Sequence, residues 1–421
     1  MSHSILIIGS GGREHALCWR LKQSPSVASV FCSPGNAGIA EDVPCVALGS
    51  FDEITAFCKK EAIALVVIGP EQPLVDGLAD HLRAHGINVF GPSAKAAKLE
   101  ASKGFMKELC RKYHIPTAAY GFFDNISEAK QFLTGKSYPL VVKADGLAAG
   151  KGVVIASTEK EALAALEDMF SGKISGGSQV VIEEFLEGEE LSFFALCDGK
   201  QAVYFGAAQD HKRAYDGDNG PNTGGMGTYS PLRMADDALI TQVMSEIITP
   251  TLHGMNEEGA PFSGVLFAGL MLTKSGPKLL EYNVRFGDPE TQSLMRLYEG
   301  DLFELLRSCA EGKLETLPAQ KDKGQHAICV VMAAKGYPGA YDKGSVIRGL
   351  DKAGALAGVK IFHAGTARKD GSIIATGGRV LGVTAVAGSI KEAQALAYRA
   401  VDLIDWPEGF CRRDIGFRAL S

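Results

Sequence analysis

Nothing in these 421 residues suggests paired cysteines. The nine are scattered, odd in number and never spaced C-x-x-C. That excludes a disulfide framework and a cysteine zinc site, and it suits a reducing compartment. No apolar run reaches the roughly 18 residues that a membrane span needs. The first segment is one short apolar strand followed by glycines, which is not the pattern of a signal peptide. A cytoplasmic protein with no membrane partner is therefore expected. Basic charge is not in excess: 43 Lys and Arg stand against 49 Asp and Glu, a net charge of −6. A general nucleic-acid binder would carry a basic field, so no nucleic-acid partner is expected. Internal repeats and low-complexity tracts are also missing. Glycine is what the chain has in plenty, 50 residues, well above the usual share of about 7%. Many tight turns or close approaches of backbone to ligand follow from that.

The chain is too long for one core, and about two to four domains are expected. Residues 1–102 alternate strand and helix, from "SILIIG" and "EHALCWRLKQ" to "INVFG". This alternation implies an open parallel sheet with helices on both faces. Four strands end in polar, glycine-bearing loops: "GSGGRE", "SPGNAG", "GPEQPL" and "GPSAKAA". All four would lie along the carboxyl edge of the sheet, where ligands bind in open α/β folds. One long helical pattern runs from Ala94 to Tyr113 and carries Lys103. Residues 103–313 then read as α+β, with strands near 119–123, 139–144, 152–156, 179–185, 190–197 and 201–208. "TEKE" from Thr158 fits a capping box. A glycine-rich loop, "AYDGDNGPNTGGMGTYSP", follows. Helices are expected near 235–257 and 290–311. After a polar linker, residues 325–421 read as a small α+β domain.

Four stretches carry chemistry. "YPLVVKADGLAAGKGVVIA" (138–156) has glycines and lysines but is not a P-loop. Lys151 is followed by Gly152, and a strand follows in place of a helix. It reads as two strands around a glycine-rich flap or around an ordinary hairpin loop. "GSGGRE" approximates a dinucleotide fingerprint, yet Glu14 replaces the third glycine and the next strand ends without an acid. A phosphate or small anionic substrate on the backbone N–H groups of Gly11, Gly12, Arg13 and Glu14 fits better; tight turns needed only for packing are the alternative. "QVVIEEFLEGEELSF" sets Glu183, Glu184, Glu187, Glu189 and Glu190 among strand residues. This is either a solvated face or a strand edge for adenine with a carboxylate for the ribose. "KLLEYNVRFGDPETQ" puts Glu281 and Asn283 two apart, hence on one strand face. A carboxylate and an amide oxygen together suit magnesium beside nucleotide phosphates.

Taken in order, Lys103, Lys143, the segment 145–152, "EEFLEGEE" (183–190) and "EYN" (281–283) resemble the ATP-grasp ligases. Longer motifs, above all "HKRAYDGDNGPNTGGMGTYSP" and "EYNVRFGDPETQ", are similar to those of the glycinamide ribonucleotide synthetase family within that superfamily. The resemblance runs from about residue 4 to residue 415. It implies an α/β protein with an N-terminal open parallel-sheet domain, central ATP-grasp α+β domains and a small C-terminal α+β domain. A nucleotide-covering subdomain would span about 119–190. The implied substrates are ATP, glycine and 5-phosphoribosylamine, with Mg2+ or Mn2+ as cofactor. The implied state is a monomer or a weak homodimer.

Site roles carry over by resemblance. Lys103 and Lys143 contact the ATP phosphates, and Gly150 belongs to the flap. Glu183, Glu184, Phe185 and Leu186 hold adenine, Glu190 the ribose, and Glu281 with Asn283 the metal. Arg285, Lys143 and Lys212 are the catalytic candidates, Arg285 for the glycine carboxylate or the transferring phosphoryl group. The loops bearing Gly11, Gly12, Arg13, Glu14 and Asn36 take the phosphoribosylamine. Asp210, Lys212, Gly287 and Asp288 join the substrate site. His211 is a poor choice of general base, because an amine nucleophile largely free of its proton needs little help. The rival readings are another ATP-grasp carboxylate–amine ligase or carboxylase of purine synthesis, and a nucleotide-binding regulator without catalysis.

Overall fold

The computed structural model describes residues 2–147, 152–174, 179–314 and 324–420. Strands β1 (His3–Gly9), β2 (Val27–Pro34), β3 (Ile63–Ile68) and β4 (Val89–Phe90) form a parallel sheet in the order β2-β1-β3-β4. Ile5 and Ile7 enter one core cluster while Leu6 enters another. Both faces are thus covered, as a parallel sheet with crossover helices requires. The loops after the four strands emerge along one edge, as the alternation implies.

The helical pattern over 94–113 is two helices, Ala94–Ala101 and Lys103–Lys112. Ser102 breaks it. Its backbone is extended, and its hydroxyl accepts from the Phe105 amide at 3.1 Å, a helix N-cap. The expected helix over 290–311 is likewise two, Glu290–Leu297 and Leu302–Ala310, the second capped by Asp301. Apolar periodicity continues across both short breaks, so the pattern alone cannot reveal them.

Strands β5 (Tyr120–Phe123), β6 (Leu140–Ala144), β7 (Val153–Ala156) and β8 (Val180–Glu184) make a small antiparallel sheet in the order β5-β8-β6-β7. Helices Ile126–Leu133 and Glu159–Phe170 pack on it around Ala129, Leu133, Ala162 and Leu166. Thr158 caps the second helix, accepting from the Glu161 amide at 3.2 Å, while Glu161 reaches back to the Ser157 amide. Flap residues 148–151, including Gly150, lie outside the described residues.

Next come β9 (Glu189–Asp198), β10 (Ala202–Asp210), the hairpin β11 (Arg213–Tyr215) and β12 (Asn219–Asn222), β13 (Gly227–Ser230), β14 (Ser263–Thr273) and β15 (Gly276–Asn283). In the C-terminal region are β16 (His326–Ala334), β17 (Val346–Ile347), β18 (Val359–His363), β19 (Thr366–Lys369), β20 (Ser372–Ala375), β21 (Arg379–Ala387) and β22 (Gly409–Phe410). Its strand β16 pairs with β13. One nine-stranded sheet therefore runs β15-β14-β9-β10-β13-β16-β21-β18, with β22 also on β16. The C-terminal strands extend the central sheet, which the polar stretch before residue 325 does not suggest. No described helix is long and apolar enough to cross a membrane, and all nine cysteines are free.

Candidate active site

The site begins with an irregularity in β15. Its register against β14 shifts between Gly269 and Leu270, so Leu280 is the extra residue. Such a bulge re-aims side chains. Before it, Pro277 and Leu279 point into the core; after it, Tyr282 does. Glu281 and Asn283 thereby share the open face and line the same cavities. Among the described residues nothing hydrogen-bonds the Glu281 carboxylate or the Asn283 amide, and no cation lies within ion-pair distance of Glu281. Burial works to raise the Glu281 carboxyl, but Lys212, Lys143, Lys103 and Arg285 outweigh it and hold it below the usual range. An ionised carboxylate beside an amide oxygen, both unpaired and facing a cavity, is a donor set for a hard cation. Among the described residues no three His, Cys, Asp or Glu groups could hold a metal. The remaining ligands would have to be phosphate oxygens and water.

On one side of Glu281 a cavity of about 120 Å³ is lined by Lys103, Gly146, Gly152, Val153, Asn283 and Arg285. Lys103 opens its helix, and Asp145 at the end of β6 anchors that opening. Asp145 accepts from the Lys103 and Gly104 amides and, at 3.0 Å, from the Ser102 hydroxyl. Lys103 Nζ donates to the Gly146 carbonyl at 3.1 Å. Lys143 Nζ donates to the Leu280 carbonyl at 3.2 Å and lies 3.0 Å from Glu183 Oε1. The Glu183 side chain is buried against lysines, while Glu184 is surface-exposed, accepting from the Ala119 amide and from Lys278. Leu186 packs with Ala118, Met271 and Leu280 into a small apolar cluster, and Phe185, next in the chain, is partly exposed. Glu190 sits 3.8 Å from Lys212 Nζ.

On the other side lies a cavity of about 420 Å³. Arg285 faces both, held by Glu71 at 3.2 Å and Glu100 at 3.0 Å. Burial disfavours its charge, yet Glu100, Glu71 and Glu290 raise its pKa further. Asp210, Lys212 and Glu290 line the same cavity. Burial and then Glu290 push the Asp210 carboxyl well up. Burial also works against the Lys212 ammonium, but Glu190, Glu281, Asp210 and Glu290 secure it. At the far end Arg379 donates to the carbonyls of Gly224 and Asp288 and lies 3.8 Å from the Asp288 carboxylate. Tyr337 accepts from the Gly224 amide at 3.1 Å. Gly287 begins the turn into helix Glu290–Leu297. A Cβ there would meet the Glu290 carboxylate at 2.4 Å.

Several expected ligand groups are engaged with the protein itself. The Gly11 amide donates to Glu14 at 2.6 Å, and the Arg13 amide to Asp288 at 3.3 Å. The Arg13 guanidinium bonds Glu14 and the Phe286 carbonyl. Gly12 packs against Gln292. Carboxylates already occupy this helix N-terminus, which suits its partial positive charge. Asn36 donates to the carbonyls of Ser10 and His363 and accepts from the Gly38 and Ile39 amides. His211 is fully buried, with Nδ1 at 3.1 Å from the Gly227 carbonyl and Nε2 accepting from the Gly416 amide. That fixes the neutral tautomer, and burial lowers its pKa to about 4. His211 ties the glycine-rich loop to the C-terminal segment and does not reach the cavity. Sequence reasoning passed over Glu71, Glu100, Lys107, Glu290, Tyr337 and Arg379. Glu71 stood in a loop already marked as ligand-facing and Glu290 in the "EYNVRFGDPETQ" motif; the others gave no local signal.

Comparison with known proteins agrees with this geometry. Models of the phosphoribosylglycinamide synthetase N domain, ATP-grasp (A) domain and C domain match residues 3–100, 101–291 and 327–418. The phosphoribosylamine–glycine ligase of Brucella melitensis is 56% identical over 420 residues, 99% of this chain and 98% of that one. That of Mesorhizobium japonicum is 56% identical over 422 residues, 99% of each chain. A crystal structure of phosphoribosylamine–glycine ligase from Thermotoga maritima superposes with a TM-score of 0.86 at 35% identity, covering 98% of this chain and all of that one. Lys103, together with Gly146 and Gly152 beside the small antiparallel sheet, faces a carboxylate–amide pair across a cleft, and with the matched ATP-grasp (A) domain this defines the class, an ATP-grasp ligase. Within that class, the chain belongs to the phosphoribosylglycinamide synthetase family.

Proposed function

We infer that this chain joins glycine to 5-phosphoribosylamine, giving glycinamide ribonucleotide, ADP and phosphate. The observation that carries this reading is the placement of Glu281, Asn283 and Arg285 where the two cavities meet. A carboxylate is a poor electrophile. Transfer of the γ-phosphoryl group to a glycine carboxylate oxygen breaks its bond to ADP and forms an acyl phosphate. The ribosylamine nitrogen then attacks the carbonyl carbon, and phosphate leaves. The protein's part is positioning and charge stabilisation. Acyl phosphates hydrolyse, so the reaction requires that water be kept from the cleft.

Lys103 and Lys143 take the ATP phosphates, the Leu186 cluster takes adenine beside the 183–186 strand edge, and Glu190 the ribose. Glu281 and Asn283 would hold Mg2+ or Mn2+, which when bound neutralises phosphate charge. Arg285, braced on two carboxylates, presents its remaining N–H groups to the transferring phosphoryl group or the glycine carboxylate. Lys212 supports the same charge from the opposite wall. Because amides of the Gly11–Glu14 turn are engaged, the ribosylamine phosphate is assigned to the end bearing Arg13 and Arg379. Asp288, Gly287 and Asp210 shape that end, and Asn36 holds the loop behind it. The test is ADP release with each substrate alone and with both. Full turnover should need both glycine and phosphoribosylamine, and equal release with bicarbonate in place of glycine would refute the assignment.

A further inference from the structure

Lys107 lies one helical turn beyond Lys103 and is fully buried. Its ammonium donates to the Thr117 hydroxyl at 2.7 Å and sits 5.5 Å from the centre of the Tyr120 ring. It is 3.3 Å from Glu183 Oε1, the same oxygen that lies 3.0 Å from Lys143 Nζ. Glu183 itself is buried. One buried carboxylate oxygen is therefore shared by two lysines that come from different elements, the helix Lys103–Lys112 and strand β6. A buried cation is costly unless it is paired, and Lys107 has, besides the Thr117 hydroxyl, only a share of Glu183. The arrangement needs a reason beyond packing.

Counting charge supplies one. Two ammonium groups and one carboxylate leave the cluster at +1. Were Lys107 neutral, Glu183 and Lys143 would cancel as a closed pair, and Lys143 would have little charge to offer an anion. We propose that Lys107 is a positioning residue for the ligation reaction: by taking a share of Glu183 it leaves the Lys143 ammonium available to the nucleotide phosphates. The inference rests on the reading of Lys143 as a phosphate-binding residue. It also assigns the Glu183 side chain to the lysines, leaving any contact with the base to the strand backbone.

The test measures binding of ADP and of adenosine to the full chain and to Lys107→Met, Glu183→Gln, the double variant and Lys143→Ala. Lys107→Met should weaken ADP about tenfold, the lower end of what one charged contact contributes, with adenosine unaffected. Thr117 keeps its bond to the Leu279 carbonyl in that variant. The double variant restores the +1 cluster, so its ADP affinity should return close to that of the parent. A purely structural role for Lys107 gives no such rescue. Should the methionine variant fail to fold, Lys107→Gln makes the same charge change and keeps a polar group beside Thr117. Unchanged ADP affinity in Lys107→Met, an equal loss for adenosine, or a double variant as weak as Lys107→Met would each overturn the proposal. If Lys143→Ala itself binds ADP normally, the phosphate reading of Lys143 fails, and this inference with it. If Lys143→Ala weakens ADP and Lys107→Met does not, only the inference fails.

Discussion

Glu281 and Asn283 are two residues apart on a strand, and among the described residues both are left without side-chain partners at a point where cations gather. If they form one metal site, Glu281→Gln removes the charge that draws the cation and keeps the shape. The magnesium concentration for half-maximal rate should rise, and excess metal should partly restore turnover. Asn283→Ala should move the same midpoint, and the double variant should be less than additive, since each change damages one coordination sphere. A lowered melting temperature with an unmoved midpoint would instead make Glu281 a mere counter-ion for the surrounding lysines. His211 offers a different check. Its pKa falls from 6.5 to about 4 in the folded chain. Between those values the unfolded chain takes up a proton that the folded chain refuses, so stability falls as acid is added. The loss from this group approaches about 1.4 kcal/mol per pH unit across the window. Replacing it with asparagine should flatten melting temperature against pH between 6.5 and 4. An unchanged slope would mean that His211 titrates normally.

At the scale of elements, the cleft depends on where strands and helices stop. Asp145 ends the strand that carries Lys143 and anchors the start of the helix that carries Lys103. Asp145→Ala should cost about 1–2 kcal/mol, as loss of a helix cap does, and should weaken ATP binding, because both lysines lose a common anchor. Melts with and without ATP separate the two effects; a stability loss with unchanged ATP affinity would confine Asp145 to capping. The elements of the N-terminal parallel sheet and of the small antiparallel sheet were legible because period-two and period-3.6 patterns are local, and the small sheet lies within a residue or two of its expected strands. The breaks at Ser102 and at Tyr298–Asp301 were not, because each is a capping event inside a continuous apolar pattern. The site was legible in part. Glu281 and Asn283 announce themselves by residue type and spacing, and Lys103 and Lys143 by their place in the resemblance to ATP-grasp ligases. Lys107, Glu100 and Arg379 do not, since their partners are brought to them only by the fold. The "GSGGRE" turn looked like a bare anion cradle because nothing in the sequence shows Asp288 arriving at the Arg13 amide.

Across the whole molecule, the larger cavity, proposed above for the substrates, is walled by three regions far apart in sequence. Arg13 and Glu71 come from the first, Lys212 and Glu281 from the middle, and Tyr337 and Arg379 from the last. Arg379 grips the glycine-rich loop through the Gly224 carbonyl and faces the cavity. Arg379→Ala should therefore raise the KM for phosphoribosylamine by about tenfold or more, the worth of one charged contact, and leave the KM for ATP near its original value. Equal increases for both substrates would indicate a general loss of loop order and not a local contact.

The sheet that joins β13 to β16 has a consequence for how the molecule opens. Backbone amides exchange with heavy water only when their hydrogen bonds break, and they do so in cooperative blocks. A seam between separately folding units would place its fastest-exchanging strand amides at the boundary. Here the boundary strands are interior ones, flanked by β10 on one side and β21 on the other. Amides of Thr228, Ser230 and Ile328 should thus be among the last to acquire deuterium, at rates matching those of the strands on either side, while the short edge strands β11 and β12 exchange early.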